Sequence, residues 1–326
     1  QRTQHLLGRK EKRDRKTGEV VPAIAPIVAK RNLFLTGTPI VNRPLEMWPM
    51  LERFDPNGLG KNFFKYAQRY CGAVHNGHGW DFSGSSNLDE LQTKLRSLFM
   101  VRRLKSEVLK DLPPKRRQVV VLEAPESLSE ILEREQVAFD ALKRANPLQF
   151  EAVDFAAMST IRKEVAEAKA PFVIDYVEDV LDSLDKVVVF AHHDSVIRKI
   201  AAHFGDAAVF ANGTCSDIQV QEAAERFQTN PTCTVFVGSI IAAGIGITLT
   251  AASTVVFAEL DWVPGNVTQA EDRCHRIGQT GSVNIHHLVL DGSVDARMVE
   301  LLIDKQEVID NALDTKHAAK PLPAVG

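Results

Sequence analysis

Thr232–Ala258 reads TCTVFVGSIIAAGIGITLTAASTVVFA and carries no charged side chain. A membrane-spanning helix takes about 20 apolar residues, so the stretch is long enough to cross a bilayer. Its content points elsewhere. Thr248, Thr250, Ser253 and Thr254, together with three glycines, split it into two β-branched clusters. Glu259 and Asp261 follow it, with no Lys or Arg anchor nearby. Two buried parallel strands joined by a Gly-rich loop account for it better.

The flanks extend this reading. Upstream, a helix over 171–184 precedes a strand at Lys186–Phe190 (KVVVF). A helix over 194–204 precedes a strand at Ala207–Phe210, and a helix over 216–228 precedes the strand 233–238. Downstream, strand 254–258 leads to helix 264–276, then strand 283–289 and a last helix over 293–314. Strict alternation of strand and helix predicts a parallel sheet covered on both faces.

The first half reads differently. Residues 1–31 are charged and loop-like. Asn32–Leu35 (NLFL) reads as a short buried strand running into a tight turn at Thr36-Gly37-Thr38-Pro39. PLEMWPMLERF, KNFFKYAQRY and LDELQTKLRSLF, within 44–122, show apolar residues at helical spacing. Arg117–Leu122 (RQVVVL) reads as a strand. Glu126 to about Asn146, and then 148–169, read as helices, so a helical insertion separates two α/β regions.

Composition bounds the function. The chain has 326 residues, with 39 basic and 42 acidic side chains and a formal charge of −3. That excludes a globally basic binder but leaves room for a local basic patch. Apolar residues at 44% and charged residues at 25% suit a globular chain of about two domains. Cys71, Cys215, Cys233 and Cys274 show no C-x-x-C spacing, which argues against a disulfide scaffold or a standard zinc site. The polar N-terminus carries no signal peptide, and reduced intracellular thiols follow. The chain opens on Gln1, which reads as a fragment or processed product.

The most specific segment is Gln269–Thr280 (QAEDRCHRIGQT). Arg273 and Arg276 sit three apart at the end of the predicted helix and so share a face. Two planar guanidinium forks on one face suit a phosphate chain. On spacing alone, two solvated surface arginines are the commoner outcome. Gly244 and Gly246 allow close backbone approach to a phosphate or nucleic acid, though such a pair more often marks a strand-end turn. Adjacent histidines at His192-His193 and His286-His287 would point to opposite strand faces, which argues against joint metal ligation. Arg102, Arg103, Lys105, Lys110, Lys115, Arg116 and Arg117 form a run opposed only by Glu107 and Asp111, ordinarily a solvated face.

Taken in order, LTGTP (35–39), MVRRLKSEVLKDLPPKRRQVVV (100–121), VVVFAHH (187–193), GSIIAAGIGITLT (238–250), VVFAELDWVPG (255–265) and the Gln269–Thr280 segment resemble the Swi/Snf-type branch of the superfamily-two helicase-like ATPases. YCGAVHNGHGWDFSGSSNLDEL (70–91), with VFAHH and residues 257–280, resembles the annealing-helicase (HARP-like) subfamily. The resemblance covers about residues 1–310.

It implies an α/β fold: a RecA-like parallel-sheet lobe, the helicase C-terminal lobe, preceded by the end of a first RecA-like lobe and a helical insertion. The implied divisions are 1–122, the end of the first lobe with a helical protrusion; 123–170, a helical protrusion or linker; 171–292, the second lobe; 293–316, a C-terminal helix; and 317–326, a frayed tail. It implies roles as well. Thr36, Gly37 and Thr38 match motif III, and Phe190, His192 and His193 match motif IV. Gly244, Gly246 and Thr248 match motif V. Gln269, Asp272, Arg273 and Arg276 match motif VI, with Arg276 as arginine finger and Arg273 its companion. Gln269, Asp272, Gly244 and Gly246 would lie on the nucleotide side. Thr36, Thr38, Arg102, Arg103, Lys105, His192, Thr248 and Trp262 would lie on DNA, binding its backbone without reading sequence. Val41, Val263 and the Asn212-Gly213-Thr214 turn depart from the family's pattern.

The implied cofactor is ATP with Mg²⁺. A P-loop takes G-x-x-x-x-G-K-[ST], and Gly60-Lys61 is followed by Asn62 with Asp55 in place of the first glycine. Asp89-Glu90 is preceded by no strand. Both sites are expected upstream of these residues. The implied partners are double-stranded or forked DNA and an upstream first lobe, in cis or in trans, with no membrane. The implied location is intracellular: cytoplasm or nucleoid in a prokaryote or virus, nucleus in a eukaryote. Two alternatives stay open: a non-catalytic DNA- or partner-binding module derived from such an ATPase and, less well matched by residues 70–121, a generic RNA helicase.

Overall fold

The computed structural model describes residues 12–13, 20–21, 23, 25, 29–36, 40, 43–75, 79–82, 84–103, 105–145, 155–241, 246–261 and 263–299. Its contacts divide the chain between Arg102 and Arg103. Strand 115–122 therefore falls with the second unit, where the sequence boundary at 122 had placed it with the first.

In the first unit, strands β1 (Lys12–Arg13) and β2 (Val20–Val21) pair antiparallel. Helices α1 (Trp48–Phe54), α2 (Phe63–Tyr70) and α3 (Leu88–Leu98) fall on the three expected helical segments. Between α2 and α3, β3 (Val74–His75) and β4 (Trp80–Asp81) form a small antiparallel pair. The apolar spacing of α2 buries Tyr66, Ala67 and Tyr70 and turns Lys65 and Arg69 outward. Asn62 starts α2 by accepting a hydrogen bond from the Lys65 N–H at 3.0 Å.

The expected buried strand at Asn32–Leu35 is not formed. Residues 32–36 have no regular structure, and Leu33 and Leu35 are 83% and 86% exposed. A buried strand needs hydrogen-bonded neighbours. Among the described residues this unit offers only two two-stranded pairs, and neither includes NLFL. Gly37, Thr38 and Pro39 of the expected turn lie outside the described residues, as does Val41.

The second unit holds the parallel α/β fold. Helix α4 (Lys105–Val108) precedes strand β5 (Lys115–Leu122), followed by helices α5 (Ser129–Ala145) and α6 (Phe155–Leu181). Then come β6 (Val187–Ala191), α7 (Asp194–Phe204), β7 (Ala208–Ala211), α8 (Asp217–Thr229), β8 (Val235–Ser239), β9 (Thr254–Phe257), α9 (Pro264–Glu271) and β10 (Val283–Leu290). Residues 294–299 are helical. The sheet order is β5-β10-β9-β6-β8-β7, and every pairing is parallel. This is a RecA-like α/β sheet. Val188, Phe190, Phe236, Val255 and Phe257 pack on one face with α8 and α9. Val187, Val189, Val235, Val237 and Val256 pack on the other with α6 and α7. The uncharged stretch 232–258 thus supplies β8 and β9. Among the described residues no helix is long and apolar enough to cross a membrane.

Two sequence expectations change here. Segments 148–169 and 171–184 were expected as separate helices, but α6 runs unbroken through Pro171. Proline lacks the N–H that would serve the Glu167 carbonyl one turn earlier. That carbonyl instead accepts from Lys199 Nζ at 3.2 Å, so α7 repairs the gap. Helix 264–276 was expected to carry both arginines, but α9 ends at Glu271 and residues 272–278 form successive turns.

Candidate functional site

The turns after α9 are short-range and tight. The Arg273 N–H donates to Ala270 O, Cys274 N–H to Glu271 O and Arg276 N–H to Cys274 O, at 3.1 Å each. Gly278 has φ +100°, a left-handed conformation that disfavours any side chain. The turns are zipped to the segment leading into β9. Leu249 N–H donates to Arg273 O at 2.9 Å, and Arg276 Nη1 to Ile247 O at 3.1 Å. Buried Gln279 donates through Nε2 to Ala252 O at 2.8 Å and accepts at Oε1 from the Thr280 and Gly281 N–H groups. Arg273 and Arg276 therefore share this site through a turn, not through a helix face.

The root of the turn is a buried ion cluster that the sequence reading missed. Glu271 is fully buried. Its Oε2 accepts from Lys115 Nζ and Arg117 Nη2, both at 2.6 Å, and its Oε1 from Arg117 Nε at 2.7 Å. Burial alone would raise its pKa; Lys115 and Arg117 outweigh it and pull it down to about 2. Asp272 binds Lys105 Nζ at 2.8 Å and Lys115 Nζ at 3.4 Å, and Lys105 Nζ also donates to His275 O at 2.7 Å. His275 Nε2 donates to Pro113 O at 2.8 Å. Three of the seven cations of the basic run, Lys105, Lys115 and Arg117, are thus engaged inside the unit. A signal for this was present: Lys115 and Arg117 are two apart on a strand and share a face.

Arg273 is the unspent charge. Its Nε is buried with no hydrogen-bond partner among the described residues. Desolvation, then the neighbouring Arg276 cation, push its pKa down. A half-buried guanidinium facing a second one is stabilised by an anion between them. Two such guanidinium groups offer planar N–H donors to an anion.

A second cluster lies at the opposite, carboxyl ends of β6 and β9. Glu259, 3% exposed, accepts at Oε2 from the His192 and His193 N–H groups, both at 2.9 Å. Its Oε1 meets His193 Nδ1 at 2.6 Å. Burial pushes the Glu259 pKa up, but the bonds from His193 and His192 outweigh it and hold it low. The two imidazoles do not diverge as adjacent strand residues would. They lie past the strand end, 5.1 Å apart and edge to face. His286 and His287 do sit on β10 and separate, one on Tyr176, the other stacked on Phe257 at 4.9 Å. Beyond Glu259, Leu260 O accepts from Arg162 Nη2 at 2.9 Å, and Asp261 accepts from Val263 N–H and Asn266 Nδ2 at 2.8 Å each. The neighbours of Trp262 are therefore braced; Trp262 itself lies outside the described residues.

The structure brings Gln269, Asp272, Arg273, Arg276, Gly246 and Thr248 to the arginine turn and its partner segment, and sets His192 at the other end of the sheet. Gly244 and Thr38 lie outside the described residues. Thr36 is exposed in the first unit, Arg102 ends that unit, and exposed Arg103 opens the second. Lys105 was expected on DNA, but its ammonium is held by Asp272 and the His275 carbonyl.

Residues 12–167 match the SNF2-related domain, and residues 172–278 match the helicase conserved C-terminal domain. The chain is 40% identical over 288 residues to the SWI/SNF-related matrix-associated actin-dependent regulator of chromatin subfamily A-like protein 1 of Xenopus tropicalis, covering 87% of this chain and 30% of that protein. It is 40% identical over 303 residues to the DNA annealing helicase and endonuclease ZRANB3 of Homo sapiens, covering 89% and 28%. The chain thus spans about 30% of the length of these curated relatives. Among solved structures it is similar to the Sulfolobus solfataricus SWI2/SNF2 ATPase core domain: 22% identity, TM-score 0.49, covering 84% of this chain and 59% of that one.

Proposed function

The chain belongs to the SNF2-related, Swi/Snf-type helicase-like ATPases, and on that premise we propose that it is the C-terminal part of an ATP-dependent DNA translocase or annealing helicase. It supplies the arginine side of the ATP site and part of the DNA track. The observation that carries this is Arg273, half-buried with no acceptor for its Nε and set beside Arg276 in a turn locked to residues 247–252.

ATP, when bound with Mg²⁺, supplies the phosphoryl group that passes to water. This chain's residues orient and neutralise. Arg276 is the arginine finger, held through Nη1 on Ile247 O with its other N–H groups left for phosphate oxygens. Arg273 is its companion. Glu271, through Lys115 and Arg117, anchors the turn against β5 so that both cations keep their place without reorganisation. Gln269 and Asp272 flank the nucleotide side. Glu259 fixes the loop of His192, and Asp261 braces the loop of Trp262; both loops, with Arg103 of the same unit, lie along DNA. The phosphate-cradling loop and the Mg²⁺ ligands come from a first RecA-like lobe, in cis or in trans. The output is rewinding of complementary strands or fork remodelling, in the nucleoid or the nucleus according to source.

The test is ATP hydrolysis by the purified chain, alone and mixed with the encoded upstream lobe, with and without forked DNA. DNA-stimulated turnover confined to the mixture is the expected result. No turnover in the mixture, with DNA binding intact, would replace this reading with a non-catalytic DNA-binding module.

A further inference from the structure

The first unit carries a basic cavity and a set of open aromatic rings that the proposed ATPase cycle leaves unused. The cavity holds about 420 Å³ and is walled by α2 and α3. Lys61, Lys65, Arg69 and Lys94 line it against one acid, Glu90. Glu90 is already taken: Arg69, Lys94 Nζ at 2.8 Å and Tyr70 Oη at 2.8 Å all donate to it. Among the described residues Lys61 and Lys65 have no acidic partner. The cavity is therefore a net cationic recess.

The rings lie on the other flank of α2. Phe64 precedes Lys65 and is 39% exposed; Trp80 on β4 is 43% exposed. Trp80 is fixed in orientation. Phe64 meets it edge-on at 5.1 Å and 88°, Phe82 lies parallel to it at 6.3 Å and 2°, and His75 stands at 5.3 Å. Four neighbouring aromatic groups would ordinarily close into a core. Here the rings pack against one another while Trp80 as a residue stays 43% exposed. The two features adjoin through α2: Lys65 follows Phe64, whose ring meets Trp80 at 5.1 Å.

We propose that Lys61, Lys65 and Trp80 form a contact for single-stranded nucleic acid, with phosphates on the two lysines and an unpaired base stacked on the indole. Bases in a duplex stack on one another and show only their edges, so an open ring of fixed plane suits an unpaired base. This rests on the reading of the chain as a DNA-acting ATPase. It adds a place where a displaced or not yet annealed strand is held, separate from the arginine turn.

The test is fluorescence anisotropy of the full chain with a labelled oligothymidylate and with a duplex of equal length. Trp80→Ala should weaken single-strand binding about ten-fold or more and leave duplex binding unchanged, while Trp80→Phe restores most of it. Lys61→Glu with Lys65→Glu should lower the salt slope of single-strand binding by about 1.4, the value for two phosphates. Unchanged single-strand affinity in Trp80→Ala, with duplex still bound, overturns this site and leaves the ATPase reading standing. Failure of the unmodified chain to bind either DNA overturns both. Equal binding of an oligoglutamate peptide, lost in the lysine variant and indifferent to Trp80, overturns the assignment in favour of an acidic protein segment.

Discussion

Glu271→Gln isolates the clamp beneath the arginine turn. The amide keeps the size of the carboxylate but removes the charge that Lys115 and Arg117 surround at 2.6–2.7 Å. The folded chain holds this fully buried carboxyl at about 2, against an ordinary 4.5. At about 1.4 kcal/mol per unit, that depression corresponds to about 3 kcal/mol, in the range expected when one member of a buried pair is removed. The sign follows from linkage. A carboxylate with a depressed folded pKa contributes stability above its unfolded value and loses it as pH falls from about 4.5 towards 2. The variant should therefore trail the unmodified chain by about 3 kcal/mol near neutral pH and by only about 1 near pH 3. Hydrogen exchange of β10 and β9 amides reads this within the second unit alone. Turnover should fall as well, because the Glu271 side chain ties the start of the arginine turn to Lys115 and Arg117 on β5. Equal protection of β9 and β10 in both proteins, with the same pH dependence, would refute the clamp.

Other consequences are narrower. Glu259→Gln replaces a carboxylate that two N–H groups and His193 Nδ1 share; thermal unfolding should report a loss of about 1–3 kcal/mol, with DNA affinity falling and nucleotide affinity unchanged. Pro171→Ala restores the helical N–H to Glu167 O and should stabilise the chain by about 1–3 kcal/mol in urea titration. Lys199→Met should cost about 0.5–1 kcal/mol in the original chain and close to nothing beside Pro171→Ala, a non-additivity that a double-mutant cycle reads directly. Gly278→Ala forces a side chain into φ +100° and should cost about 1–3 kcal/mol, visible as a lowered Tm.

Much of the second unit is legible in its residues because period and burial agree there. KVVVF, TVFVG and STVVF are short β-branched runs between amphipathic helices, and a parallel sheet buried on both faces selects that pattern. Where the reading failed, a tertiary partner decided. Pro171 forecasts a helix boundary only if nothing else serves the Glu167 carbonyl, and Lys199 lies on another helix. Asn32–Leu35 has the composition of a buried strand but lacks sheet neighbours among the described residues. The basic run 102–117 looks like a solvated face until the fold delivers Glu271 and Asp272 to it from more than 150 residues away. The arginine segment itself was readable as chemistry, but not as geometry. Spacing placed both guanidinium groups on a helix, whereas Gly278, Gln279 and the partner segment 247–252 fold it into a turn. Glu259 lies within the resembling stretch 255–265, but no spacing marks it out; only the paired N–H groups it receives reveal its part.

On this reading the chain contributes Arg276 to a shared ATP site. The most direct test is single-turnover ATP hydrolysis on forked DNA by the chain combined with its upstream lobe, comparing Arg276→Ala with the unmodified pair, with DNA affinity measured on the same samples. The variant should lose about a thousand-fold or more in rate, with DNA affinity unchanged. Hydrolysis by Arg276→Ala at the unmodified rate would contradict it.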